Sequence, residues 1–406
     1  MKNNVKIFVS YHKDMPYFKS DIFQPIFCGA FSLKKNIKQD FLKDNFGENI
    51  SDKNIYYSEL TGHYWVLNNY LKYAEEDYIG FCHYRRFWDL LNVSQTDYPS
   101  AFGVLYQPFK KLFQKWKKCD ITKNLSEYDI ILPCKSYFTD NLINPIKPTD
   151  GSGHTFEEYF EQFHVKKLSD TLLKVLKDAY PEYYKSAKIV FSRDYMYPYN
   201  MYIMKTPILK EFLTFMFDIF NKIENEIGDY KTIEYQRQFG FLSEIIVNLW
   251  LEKNLKERNL KIGYCPFFML DFETTYLEKA VLYKESGAID KAIKEILKII
   301  KYTDNKSKFF NLIAQMYFEN NDYENTIKYA KKSLKNKPNT LSCLILGDTY
   351  QKNKDYKNAI KYLEYMLELD PTDNILLKRL MFLAEQAHDR DKYEFYFYKQ
   401  MKNNAS

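Results

Sequence analysis

Residues 77–88 read Asp77-Tyr78-Ile79-Gly80-Phe81-Cys82-His83-Tyr84-Arg85-Arg86-Phe87-Trp88. Tyr78 to Cys82 is a short apolar run, the pattern of a buried strand. The chain then turns polar, so one imidazole and two guanidinium groups arrive where that strand ends. Val5–Ser10, Tyr128–Pro133, Met201–Met204 and Lys261–Cys265 are runs of the same kind. Amphipathic helices are predicted between them, at about 56–73, across 155–190, at 207–226 and at 240–253. Strand–helix alternation over 1–270 predicts an α/β domain with a mostly parallel sheet. Ligands of such sheets bind beyond the carboxyl ends of the strands, so the chemistry is sought just after each strand.

Residues 271–406 have a different grammar. Aligning Tyr283, Tyr317 and Tyr350 also aligns Ala280, Ala314 and Gly347 before them, and Ala292, Thr326 and Ala359 after them. Ile293, Ile327 and Ile360 follow in the same register, and Pro338 and Pro371 close the second and third units. Spacings of 34 and 33 residues match the tetratricopeptide period. Small residues let the paired helices approach, and each proline ends a helix. Units are expected near 273–306, 307–339 and 340–373, with a degenerate capping helix at 374–401. Such arrays commonly bind a protein partner.

Bulk composition narrows the class. At 406 residues with 46% hydrophobic side chains, the chain is too long for one ordinary core and too apolar to be disordered. Fifty-nine basic against 53 acidic residues leave a net charge of +6, too mild for a dedicated nucleic-acid binder. It suits an anionic substrate or an anionic membrane surface. Six dispersed cysteines without a CxxC pair argue against a zinc site or a disulfide framework. Lys6 interrupts a brief apolar start, and no run of 18 apolar residues exists, so a cytoplasmic location is expected.

Two strand ends, a loop and a helix start carry candidate chemistry. Ser10-Tyr11-His12-Lys13 follows the first strand, and His83-Tyr84-Arg85-Arg86 follows the run at 78–82. Arginine forks onto phosphate oxygens, and a diphosphate leaving group needs positive charge as its bond to sugar breaks. Arg85 and Arg86 either serve that purpose or pair structurally with Asp89 or Glu59. The loop Gly47–Asn54 leads into a helix carrying Tyr57, Glu59, Thr61 and Trp65; it either holds a phosphate or is a plain turn. Glu244 falls near the start of a helix, where it is either a general base or an ordinary helix-start acid. An Asp-x-Asp of the kind that holds a divalent metal against a diphosphate occurs only at Asp389-Arg390-Asp391, far from any predicted strand. Mg²⁺ or Mn²⁺ therefore has no motif to support it, and no cofactor is expected.

Several of these pieces together resemble a family of bacterial capsular and exopolysaccharide glycosyltransferases that long carried only a domain-of-unknown-function label. The matching blocks are Phe8–Lys13, Gln24–Ile26 with Gly29-Ala30, Asn49–Ser51 with Asn54, Tyr57–Thr61 and Tyr78–Phe87. Asp129–Pro133, Asn200–Lys205, Gly240–Glu244 and Asn248–Leu251 complete the series. The resemblance implies a GT-A-like nucleotide-sugar transferase over 1–270, with the repeats over 271–406 outside it. It implies a UDP-sugar donor, with galactofuranose or galactose as the hexose. The acceptor would be a growing capsular, exopolysaccharide or lipopolysaccharide glycan, free or lipid-linked. With the strand-end placement it assigns donor contact to His12, Lys13, Asn49, Asn54, Glu59, Thr61, His83, Tyr84, Arg85 and Arg86. Asn200 and Arg237 would contact the acceptor, and Glu244 would act with Arg85 and Arg86 in catalysis. A second reading makes the chain a non-catalytic scaffold that recruits assembly partners through its repeats.

Residues from about Leu90 to Leu125 read as an insertion in that pattern. Within it, Phe109, Leu112, Phe113 and Trp116 fall on one helical face, flanked by Lys110, Lys111, Lys115, Lys117 and Lys118. Such a helix either packs its aromatic face on the catalytic domain or lies on an anionic membrane. On a membrane each lysine adds about 1 kcal/mol at low salt. Surface docking predicts co-sedimentation with anionic vesicles that falls with salt and drops sharply when Phe113 and Trp116 become serine. Indifference of the wild type to such vesicles assigns the stripe to a protein core.

Overall fold

The computed structural model describes residues 4–13, 15, 19–33, 41–97, 103–104, 121–139, 143–144, 147–148 and 153–405. The stretch 109–118 lies outside the described residues. The chain divides into two compact units, 1–271 and 272–406. Among the described residues no helix is long and apolar enough to cross a membrane.

The main sheet of the first unit has ten strands among the described residues. Its principal order is β12 (Ile262–Tyr264), β7 (Ile130–Leu132), β11 (Tyr202–Lys205), β4 (Tyr78–His83), β1 (Val5–Tyr11), β2 (Phe23–Phe27) and β3 (Leu42–Lys43). β4, β1, β2 and β3 are parallel, as are β7 and β12, while β11 runs antiparallel to both β4 and β7. Six of these seven strands thus share one direction, and the expected mostly parallel α/β sheet is what forms. The reversed β11 brings its amino end to the edge where the others have their carboxyl ends. A flap beside β4 consists of β5 (Arg86–Trp88), β13 (Phe267–Met269) and β6 (Gly103–Val104). β8 (Ser136–Phe138), β9 (Ile143–Asn144) and β10 (Tyr195–Met196) make a separate small sheet.

β2 is absent from the sequence-based expectation because Pro25 sits inside it. Proline is tolerated there because β3 pairs only with Ile26 and Phe27, leaving the strand open at Pro25. The helix expected at 56–73 is broken instead into Asn54–Tyr57, Leu60–Trp65 and a π-turn at Val66–Tyr70. The break is at Ser58, whose φ of 53° and ψ of −131° belong to glycine-like backbone. The other predicted helices form as Phe156–Phe163, Lys166–Ala179, Pro181–Phe191, Thr206–Ile227 and Gln238–Arg258. Their apolar faces cover the sheet in one continuous core reaching from Phe8 and Phe81 to Phe212 and Trp250.

The second unit is four helical hairpins, not three and a cap. They are Phe272–Glu285 with Ile289–Ile300, Lys306–Glu319 with Tyr323–Asn336, Thr340–Lys352 with Tyr356–Leu369, and Asn374–Gln386 with Arg390–Ala405. Each hairpin turns on one left-handed residue: Gly287, Asn321, Lys354 and His388. Asp322, Asp355 and Asp389 follow the last three, and each accepts a backbone N–H from the start of the next helix. That pattern continues into the fourth hairpin, where the tyrosine and alanine register used to count units fades. The close packing works as expected: a Cβ on Gly347 would stand 2.6 Å from Leu363. Tyr317 stacks on Tyr329 and Tyr350 on Tyr362.

One contact in the sheet sets the spacing of the site. A Cβ on Gly80 would lie 2.7 Å from the Tyr202 carbonyl and 2.9 Å from Ile203 Cα, so β4 and β11 approach closer than any side chain allows. Gly80→Ala is expected to lower stability by about 1–3 kcal/mol, because backbone rather than a flexible side chain must move. The urea midpoint checks this.

Candidate active site

The carboxyl ends of β1 and β4 and the amino end of β11 bring His12, His83, Tyr199 and Asn200 to one edge. His83 opens a tight turn in which it pairs with Arg86, leaving Tyr84 and Arg85 at the tip. Tyr84 donates its N–H to Ser10 at 3.1 Å, and Leu270 donates to the Arg85 carbonyl at 2.7 Å, so both sides of the turn are tied to neighbouring strands. The His12 ring stands edge-on to Tyr84, with centroids 5.1 Å apart. Arg85 lies over the Tyr84 ring at 5.4 Å, and Arg86 over the Tyr199 ring at 4.2 Å. Among the described residues Arg85, Arg86 and Arg237 form no ion pair. Asp89 accepts instead from Asn92 at 2.7 Å, and Glu59 from Asn200 at 2.9 Å. Structural pairing of Arg85 and Arg86 with these carboxylates is thereby excluded.

The cations leave their mark on the histidines. His83 Nε2 lies 2.5 Å from the Tyr199 carbonyl, so this nitrogen carries the proton. Burial holds the His83 pKa below its ordinary value, with Arg86 and Arg237 adding to the effect and Glu59 opposing it. His12, which keeps an exposed edge, is lowered to about 4 by loss of ring hydration and by Lys13, Arg237 and Arg85. Both imidazoles are neutral at neutral pH, and the positive charge rests on the arginines and Lys13.

Glu244 faces them from helix Gln238–Arg258. It lies in the second turn, one turn deeper than its sequence position suggested, so the helix dipole acts on it less. Its Oε1 accepts the Tyr199 N–H at 3.2 Å. Burial, and then the charge of Glu59, push its pKa up to about 8 against the opposing pull of Arg86, Tyr199 N–H and Arg237.

Several expected contacts are relocated. The charge of Arg237, expected at the acceptor, acts on His12, His83 and Glu244, as the charges of Arg85 and Arg86 act on neighbouring groups of the same cluster. Asn200 was also assigned to the acceptor. It is buried, donates to Glu59 and to the Gly240 carbonyl at 3.0 Å, and accepts from Ser243 at 2.7 Å. Thr61 is fully buried and bonded to Asn54 and the Ser58 carbonyl, which removes it from direct donor contact. Asn54 also bonds that carbonyl, at 2.6 Å, so the two residues brace the backbone break at Ser58. Asn49 folds back on Gly47 and Ser51, the plain-turn alternative. His12, Lys13, His83, Arg85, Arg86, Glu59 and Glu244 remain in one cluster of mutually interacting charges and rings, with Tyr84 against His12.

Three residues here escaped the sequence reading. Asp44 is buried and accepts from Gly29 and Ala30 N–H and from Ser51 Oγ, fixing the loop beyond β2. Ser243 locks Asn200. Tyr199 has a φ of 75° and Asn200 one of 50°, consecutive left-handed residues that cost about 1–3 kcal/mol each. With Ser58 and Arg237, four of the non-glycine positive-φ residues surround this site. Only the asparagine hints at such backbone in the sequence; a left-handed tyrosine has no signature.

The fold has counterparts among known proteins. Residues 6–255 match the family described as Domain of unknown function (DUF4422), more than half of the chain, and the chain belongs to that family. Residues 285–366 match the family described as Anaphase-promoting complex, cyclosome, subunit 3. Among solved structures, the chain is similar to the WbbM bifunctional glycosyltransferase in its apo form, at 27% identity and a TM-score of 0.54. That similarity covers 66% of this chain and 46% of WbbM, so the chain spans less than half of that protein. A TPR repeat-containing protein of Borreliella burgdorferi is 43% identical over 61 residues, which are 15% of this chain and 26% of that protein.

The Glu244 carboxyl has a consequence for stability. Between its ordinary value of 4.5 and its folded value of about 8, the unfolded chain has released a proton that the folded chain keeps. Stability therefore falls as pH rises across that interval. Glu244→Gln retains the oxygen that accepts from Tyr199 and has no proton to lose. It is expected to gain roughly 1–3 kcal/mol over wild type by pH 9 and nearly nothing at pH 4, allowing for partial exposure of the carboxyl. Urea denaturation at the two pH values tests this.

Proposed function

We propose that the N-terminal unit is a glycosyltransferase that moves a hexose, galactofuranose or galactose, from a UDP-sugar to a glycan or lipid-linked glycan of a bacterial surface polysaccharide. The observation that carries this reading is the grouping of three guanidinium groups, without an ion pair among the described residues, around His12, His83 and a Glu244 carboxyl pushed up to about 8. Membership of the family and similarity to WbbM support it. The acceptor hydroxyl oxygen bonds to the anomeric carbon as the bond from that carbon to the diphosphate oxygen breaks. Arg85, Arg86 and Arg237 neutralise the departing diphosphate, and the Glu244 carboxylate takes the hydroxyl proton. Lys13 adds charge at the rim, and His12 and His83 offer neutral hydrogen-bonding nitrogens. A hard divalent cation wants several anionic oxygens. The arginine-rich strand ends do not fit it, and Asp389 is spent capping a helix in the second unit. The repeats provide a surface for a protein partner, and the membrane contact of residues 109–118 belongs to the same proposal.

Turnover of a panel of UDP-sugars by the full chain is the test. Arg86→Ala is expected to lose about 2–4 kcal/mol of transition-state stabilisation. Glu244→Gln is expected to lower transfer by about 10²–10⁴-fold while donor binding persists. Because the base is the ionised form, wild-type transfer should fall as pH drops below about 8. Excess EDTA should leave the rate unchanged. Absence of turnover and of nucleotide binding in folded protein would overturn the enzyme and leave the scaffold reading.

A further inference from the structure

Tyr199 touches Arg86, His83 and Glu244 together. Its ring carries the Arg86 guanidinium at 4.2 Å, its carbonyl accepts from His83 Nε2, and its N–H donates to Glu244. Its environment is built to hold it there. Phe267 meets the ring edge-on at 5.6 Å, and β13, which bears Phe267, pairs with β5, which bears Arg86. Asn248 clamps Tyr197 just upstream through both backbone groups, at 2.9 and 3.1 Å. Asn200 just downstream is locked to Glu59, Gly240 and Ser243. Among the described residues Arg86 Nε is buried without a hydrogen-bond partner, and the Tyr199 ring is a contact that holds that guanidinium.

We propose that Tyr199 is a positioning residue: its ring presents Arg86 to a nucleoside diphosphate while its backbone N–H and carbonyl set Glu244 and His83 in register with that guanidinium. The inference rests on the glycosyltransferase reading and adds how the anion site and the base are held at a fixed separation. A cation stacked on an aromatic face loses little freedom when a phosphate arrives, which favours tight binding. The left-handed backbone at Tyr199 and Asn200 turns the Tyr199 N–H and carbonyl toward Glu244 and His83 while the ring lies under Arg86.

Calorimetric binding of UDP to the full chain separates the possibilities. Tyr199→Gly accepts the positive φ and keeps both backbone contacts, so it removes only the ring. It and Arg86→Ala are each expected to weaken UDP binding about tenfold, with the double variant little weaker than either, because the two changes break one interaction. Tyr199→Phe restores the platform and should bind as wild type does. Asn200→Ala frees the backbone, takes the Tyr199 N–H from Glu244, and should move the acid limb of the transfer rate to higher pH. Losses that multiply in the double variant, or wild-type binding by Tyr199→Gly, overturn the positioning role while leaving the enzyme reading intact. Failure of folded wild type to bind any UDP overturns both.

Discussion

The approach of β4 to β11 across Gly80 is the constraint from which the site follows. One antiparallel strand inside an otherwise parallel array puts an amino end where the neighbours have carboxyl ends. The segment leading into β11 then meets the segment leaving β4, and His83 can reach the Tyr199 carbonyl. A bulkier residue than glycine would part the strands, and the cationic turn would face solvent instead of a carboxyl. Polar chemistry here is supplied by loops, but its spacing is decided by backbone packing in the sheet.

Around that contact the protein accumulates conformations that sequences avoid. Ser58, Tyr199, Asn200 and Arg237 are all left-handed, and each is restrained by buried hydrogen bonds or by a neighbouring strand or helix. Asn54 and Thr61 brace Ser58, Ser243 and Glu59 brace Asn200, and the Ile55 carbonyl accepts from Arg237. Several polar residues that look like ligand contacts in the sequence are therefore supports. They matter because the rigidity they provide fixes the remaining groups: guanidinium groups without an ion pair among the described residues and a buried carboxyl reluctant to ionise.

What was legible in the sequence divides along physical lines. Strands β1, β4 and β11 announce themselves because burial on both faces leaves continuous apolar runs. β2 was hidden by Pro25, and β5 and β13 by their shortness. His83, Arg85, Arg86 and Glu244 could be named from strand and helix ends, since charge at such places is conspicuous. Arg237 could be named, but not its grouping with His12 and His83, because those neighbours come from the ends of β1 and β4, more than a hundred residues away. Tyr199 was missed altogether. Its role depends on a backbone angle and on contacts with residues distant in the chain, and neither leaves a local pattern.

The turns of the second unit carry an implication of another kind. Gly287, Asn321, Lys354 and His388 make the same left-handed joint with four different residues, so the bend belongs to the backbone. A segment copied from one such joint to the next would arrive with a hinge that already fits both flanks. Hairpins in arrays of this kind touch chiefly their immediate neighbours, so the disturbance would stop within one unit. The number of hairpins is then free to drift by duplication or loss while the sheet and its cationic edge stay as they are.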